Sequence, residues 1–304
     1  MFIEEYLRDL RQERFAPPAL ARYAARVARR VRDQMDANPS AVRSIWIAAL
    51  GFFAAAFAAA AAMALAYDRH LAYDFFLQTA LWIAPAFAFV TCNVGLLRDR
   101  DGYRLSGINL PIALTLVRVA LVPGIALFLL ERHFILALVT FLVAALTDVA
   151  DGWVARRWKQ ETDLGKLLDP LVDIVFNLAM FSAFFAAGML PGWVFAAAAL
   201  RYGLLLVGGA CLYLFVGPLR IRPTVFGRLS GVLMSALVAL LTLLYALGGP
   251  LRLSLLPLNI IALGGLISVT VAQVVVMGWY NVRLMTGTTA LAPGRVVGDV
   301  RDAR

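Results

Sequence analysis

Eight stretches of this chain, at about residues 44–67, 74–97, 109–130, 134–152, 170–190, 192–216, 225–247 and 257–282, are each long and apolar enough to cross a bilayer. In hydrocarbon every backbone N–H and C=O must be satisfied within the segment itself, which selects helices. Composition agrees, with 62% of the 304 residues apolar and 15% charged; soluble domains run at about 45–50% and about 25%. A conventional soluble enzyme is excluded, and an all-α polytopic membrane protein is expected.

The net charge of +9 raises the question of nucleic acid, but the basic residues sit between apolar runs without interleaved aromatics. They read instead as topology determinants and contacts for membrane lipid headgroups, with no nucleic-acid partner. Of the 28 Lys and Arg, 23 fall on one side of an eight-span chain: within 1–43, 98–108, 153–169, 217–228 and after 282. The other side carries only Arg69, Arg132 and Arg252. Both termini are therefore expected to be cytoplasmic, as in a bacterial inner-membrane protein. His70 and His133 fall on the sparse outer side, which argues against a histidine base in cytoplasmic chemistry.

Residues 1–43, with nine interleaved arginines, suit a basic amphipathic helix on the membrane surface. Residues 44–98 hold two further spans, and 286–304 form a polar tail expected to be flexible. The start, MFIEEYLRDLRQERF, is too charged for a secretory signal and is expected to be retained. Cys92 and Cys211 lie inside apolar runs and read as small core residues, not as a disulfide or zinc site.

Ionisable groups within spans are costly and usually functional. The segment LTDVADGWVARRWKQETDLGKLLDPLVDIVFN, Leu146 to Asn177, places Asp148, Asp151, Asp169 and Asp173 at the ends of two consecutive spans. Asp148, Asp151 and Ala155 share one helix face by spacing, and Asp169, Asp173 and Asn177 share another. Four carboxylates brought together need cations. An all-oxygen set favours hard ions such as Mg²⁺ or Mn²⁺, and two of these can clamp a diphosphate. Gly152 leaves room for a phosphate to approach, Gly165 is read as the site of the sharp turn between the helices, and Arg156 stands ready for a bidentate phosphate contact. The alternative is a set of interfacial charges paired with Arg156, Arg157, Lys159 and Lys166.

The same segment resembles the signature of the CDP-alcohol phosphotransferase family, DxxDGxxARx8GxxxDxxxD, at all eight positions: Asp148, Asp151, Gly152, Ala155, Arg156, Gly165, Asp169 and Asp173. The resemblance implies a six-helix membrane core at about 105–285, a homodimer, and an active site open to the cytoplasm. It implies that the four aspartates ligate two divalent metals. Asp148, Gly152, Ala155, Arg156 and Asp169 would line the CDP pocket beside Gly165. Asp173 would be the general base, taking the proton of an acceptor hydroxyl that attacks the β-phosphate of CDP-diacylglycerol and expels CMP.

The stretch NLPIALTLVRVALVP is similar to the family's first core helix, which makes Asn109, Thr115 and Arg118 candidates for the nucleotide pocket. Arg201, Arg220, Arg222 and Arg228 are candidates for the acceptor's phosphate or a lipid headgroup, and Asn177 for either the acceptor or helix packing. GKLLDPLVD and RPTVFGRLSG look like the branch acting on glycerol 3-phosphate or phosphatidylglycerol, although Ile174, Arg228 and Gly231 depart from it. An inositol-phosphate or other polyol-phosphate acceptor is the alternative. A transporter would need midplane carboxylates and inverted repeats, and a scaffold would be marked by loss of the aspartates; neither mark is found.

Overall fold

The computed structural model describes residues 2–211 and 225–289. Within them run α1 (Phe2–Gln12), α2 (Pro17–Asp36), α3 (Pro39–Ala66), α4 (Arg69–Cys92), α5 (Leu110–Leu130), α6 (Phe134–Arg157), α7 (Asp163–Ala186), α8 (Gly192–Gly203), α9 (Val225–Leu247) and α10 (Gly249–Thr289). Past its end α8 continues through a π-helical turn, Leu204–Gly208, to Cys211. No β-strand occurs among the described residues, and eight helices there are long and apolar enough to span a membrane. The chain is an all-α, multi-pass integral membrane protein.

Helix ends differ from the apolar stretches where local chemistry overrides hydropathy. α7 begins at Asp163, well before its apolar run, because the Thr162 hydroxyl caps it by accepting from Gly165 N at 3.0 Å. α3 begins at Pro39 behind an Asn38 cap, with proline in the first turn where its missing N–H costs nothing. α4 stops at Cys92, short of its apolar run, and gives way to a 3-10 turn at Val94–Leu96. α10 absorbs Pro257 inside the helix and so starts earlier than expected.

The amino-terminal segment is two helices, not one. Arg14 and Phe15 take left-handed φ of 51° and 57°, and Pro17 restarts the chain as α2. The two helices pack through Leu7, Leu10 and Ala19 and are joined by Arg26–Asp9 at 2.7 Å and by Arg22–Glu13. The expected tail at 286–304 is helical to Thr289, and the rest lies outside the described residues. Cys92 and Cys211 are free, as expected, but exposed on the helix surface rather than in the core.

α5 packs on α6 and α7, α6 on α9, α9 on α10, α10 on α8, and α8 on α7. This closes a ring of six helices, with α4 docked against α5 and α3 against α4. Lipid is as apolar as leucine, so such packing relies on close van der Waals fit and small residues. Ala41, Ala49, Ala56 and Ala60 form that kind of buried seam on α3. Inside the ring, Phe181, Phe184, Met180 and Leu263 are almost fully buried. A second apolar cluster joins Ile45, Ile83 and Phe87 of α3 and α4 to Ile112 and Leu116 of α5 and to Leu164, Leu168 and Val172 of α7. The first turns of α7 are thus fixed from the amino-terminal side.

Candidate active site

α6 ends and α7 begins at the same end of the ring, and α5 runs beside both. α6 closes with Gln160 N donating to Ala155 O at 2.9 Å, around Lys159 at φ 54°. The sharp turn expected at Gly165 is therefore made by Lys159. Gly165 sits instead inside the first turn of α7, where a Cβ would press on Thr162 Oγ1 at 3.3 Å. Asn109 caps α5 and reaches across, its Nδ2 donating to Gln160 O at 2.7 Å.

Three of the four aspartates gather around one side chain, Arg118 of α5. Its Nη1 pairs with Asp173 Oδ1 at 2.5 Å and with Asp148, and its Nη2 with Asp151 Oδ2 at 3.2 Å. The arginine side chain is 4% exposed and that of Asp151 9%, whereas Asp148 and Asp173 are about half open, at 50% and 55%. A buried cation thus holds carboxylates that still present a free side to solvent. Thr115 ties the fourth, Asp169, to Asp151. Its hydroxyl lies 3.1 Å from Asp151 Oδ2 and 3.5 Å from Asp169 Oδ1, and also bonds Pro111 O at 3.1 Å.

Beside this cluster opens a cleft of about 180 Å³. Thr115, Asp151 and Asp169 line its wall, Gly152, Ala155 and Arg156 come from α6, and Gln160, Glu161, Thr162, Gly165 and Lys166 from the turn and the start of α7. The Arg156 guanidinium folds back over Gly152, within 3.1 Å of where a Cβ would stand. Glycine at 152 is what lets that side chain lie there.

The structure brings together Asp151, Gly152, Ala155, Arg156, Gly165, Asp169 and Thr115. Asp148, Arg118 and Asp173 do not line the cleft; they form the ion-paired cluster next to it. The cation that compensates the carboxylates comes from α5, not from Arg156, Arg157 or Lys159, and Lys166 pairs with Asp163 at 2.9 Å. Arg201 bonds to Tyr202 Oη at 3.0 Å and Met234 Sδ at 3.1 Å rather than to an aspartate. Asn177 donates to the Asp173 carbonyl at 2.8 Å. Arg220, Arg222 and the side chain of Arg228 lie outside the described residues.

The donor set suits hard divalent cations. Three carboxylates pair with one buried guanidinium and a fourth stands beside them, an excess of negative charge offered through oxygen alone. Among the described residues no three ligating side chains are already arranged around a common point, and Arg118 stands among Asp148, Asp151 and Asp173.

Glu161 and Thr162 were not singled out from the sequence. Thr162 carried a usable signal, a threonine just before a helical run in cap position. Glu161 had none, being one of two acids, with Asp163, that follow a basic stretch.

A family model described as CDP-alcohol phosphatidyltransferase matches residues 108–279. Among curated relatives, the CDP-diacylglycerol–glycerol-3-phosphate 3-phosphatidyltransferase of Aquifex aeolicus is 34% identical over 129 residues, covering 42% of this chain and 71% of that protein. The protein of the same name from Escherichia coli K12 is 49% identical over 71 residues, covering 22% of this chain and 38% of its own length. A cardiolipin synthase (CMP-forming) of Rattus norvegicus is 37% identical over 84 residues, covering 27% and 28%. The chain thus spans well under half the length of these last two. No solved structure matches.

Proposed function

This chain belongs to the CDP-alcohol phosphatidyltransferase family, and from that premise we propose that it moves a phosphatidyl group from CDP-diacylglycerol to the hydroxyl of glycerol 3-phosphate or phosphatidylglycerol, releasing CMP. The observation that carries the reading is the pairing of a cleft lined by Asp151, Asp169 and Arg156 with half-open Asp148 and Asp173 beside it. A nucleoside diphosphate needs a polar pocket with a cation at its rim, and an attacking hydroxyl needs a carboxylate within reach of solvent.

In this reading the nucleotide lies in the cleft over Gly152 and Ala155, and Arg156 swings from Gly152 to the diphosphate. Arg118 fixes Asp173 Oδ1, which leaves Oδ2 to take the proton of the acceptor hydroxyl. The acceptor oxygen bonds to the β-phosphorus as the bond from that phosphorus to the bridging oxygen breaks, and the electron pair leaves with CMP. Asp148, Asp151, Asp169 and Asp173 would hold two divalent cations, Mg²⁺ or Mn²⁺, which neutralise diphosphate charge when bound. Thr115 orients Asp151 and Asp169.

The proposal assigns catalysis to about residues 105–285 and sets the cleft and both termini on the cytoplasmic face of a bacterial inner membrane. It takes the active form as a homodimer. The bias of Lys and Arg toward the connections on the cleft side supports the orientation, and the names of the relatives support the acceptor. Purified protein given CDP-diacylglycerol and Mg²⁺ should release CMP with glycerol 3-phosphate or phosphatidylglycerol and not with serine. Release with myo-inositol 1-phosphate alone would move the chain to the polyol-phosphate alternative.

A further inference from the structure

The residues before 108 fall outside the family match, yet they are bonded into the cleft. The connection between α4 and α5 is a small hairpin in which Arg98 and Arg104 form an antiparallel bridge. Asp99 closes its tip, accepting from Tyr103 N through Oδ1 at 2.8 Å. On one side the hairpin is anchored to the α2–α3 junction. Arg104 Nη1 donates to Ala37 O at 3.1 Å, Asn38 Nδ2 donates to Leu105 O at 2.9 Å, and the Gln34 amide lies over Gly95, where it would have to move aside for a Cβ.

On its other side the hairpin reaches the turn between α6 and α7. Arg100 Nε and Nη2 both donate to Glu161 Oε2, at 2.8 and 2.5 Å. Asp163 N donates to Arg98 O at 3.4 Å, and Leu97 is buried with Leu164 and Leu168 of α7. The turn itself is short, running from the left-handed Lys159 to the Thr162 cap, and Gln160, Glu161 and Thr162 all line the cleft.

We propose that this hairpin is a positioning clamp: Arg100, acting through Glu161, fixes the α6–α7 turn against the amino-terminal helices and so sets the nucleotide end of the cleft. The inference rests on the nucleotide reading above and gives residues 1–107 a role in substrate binding that the ring of six helices alone would lack. A released turn samples positions that do not fit the nucleotide, and affinity falls by the fraction of time spent there. Asp173 and Arg118 are held independently within the ring, so the chemical step itself is spared. Arg100 is thus a positioning residue.

The test uses the full-length protein in detergent with Mg²⁺, measuring the Kd for CMP, the KM and kcat with CDP-diacylglycerol, and Tm. Arg100→Ala, Glu161→Gln and the double variant are each expected to weaken CMP binding and raise KM by the same factor, about three- to fivefold, with kcat within about twofold. Arg100→Lys, which keeps one donor, should recover part of the loss. Unchanged CMP affinity in Arg100→Ala overturns the clamp. So does recovery in the double variant, since that would assign the effect to the charge of Glu161 and not to its being held. Wild-type protein that binds no CMP overturns the nucleotide reading itself, and the clamp with it.

Discussion

Arg118 shows how one residue can make an acidic cluster tolerable inside a membrane protein. Its two terminal nitrogens serve three carboxylates from two other helices, and its burial gives those contacts a weight that a surface pair lacks. Arg118→Ala leaves like charges facing one another with no cation among them. Removing one partner of a buried pair costs about 3–5 kcal/mol, and we expect a marked fall in Tm together with loss of CMP formation. Arg118→Lys should not rescue, because a single ammonium cannot reproduce the fork that holds Asp151 and Asp173 separately. Thr115→Val keeps the shape but removes the hydroxyl shared by Asp151 and Asp169. Asp151 Oδ2 keeps its contact with Arg118, so the cost is that of a hydrogen bond to a charged group, about 1.5–3 kcal/mol, and thermal unfolding of the purified variant would read it.

At the scale of the element, the turn between α6 and α7 sets the site. Lys159 stands in the left-handed region, where a residue with a Cβ is strained. Lys159→Gly should therefore stabilise the protein by about 1 kcal/mol, visible as a higher Tm at unchanged kcat. Gly152→Ala acts in the opposite direction. Its methyl would meet the Arg156 guanidinium at 3.1 and 3.4 Å, displacing that side chain from its resting place and narrowing the cleft. KM for CDP-diacylglycerol should rise more than kcat falls.

These two positions also mark what the sequence could and could not disclose. Regular spacing put Asp148 with Asp151 and Asp169 with Asp173, and the apolar runs located every span, because both follow from helical periodicity. Glycine is the usual left-handed residue, which points a sequence reading to Gly165 for the turn, whereas Lys159 takes that conformation under the constraint of the helix end. Arg118 could be recognised as an intramembrane cation needing a partner. That its partners were the aspartates depends on how α5 packs between α6 and α7, which is long-range information carried by no local pattern. The Arg100–Glu161 contact is of the same kind.

At the scale of the whole molecule, six of the described helices form a closed ring and two more are docked at its α5 edge, and the alternation of spans assigns the Lys- and Arg-rich connections to the side of the cleft. This side is expected to face the cytoplasm. In a variant with Cys92 and Cys211 replaced by serine, a single cysteine at Arg132 or Arg252 should react with an impermeant thiol reagent added outside intact cells, and one at Arg157 should not. The reverse pattern would invert the topology.

The central claim, that the aspartate cluster beside the cleft performs phosphatidyl transfer, is tested most directly by CMP release from CDP-diacylglycerol in wild type and Asp173→Asn under identical Mg²⁺ and acceptor conditions. The wild type should show acceptor-dependent release, reduced about 10²–10⁴-fold in the variant, with CMP binding retained. Equal release by the two proteins would contradict the role of Asp173, and no release by the wild type with any acceptor would contradict the function.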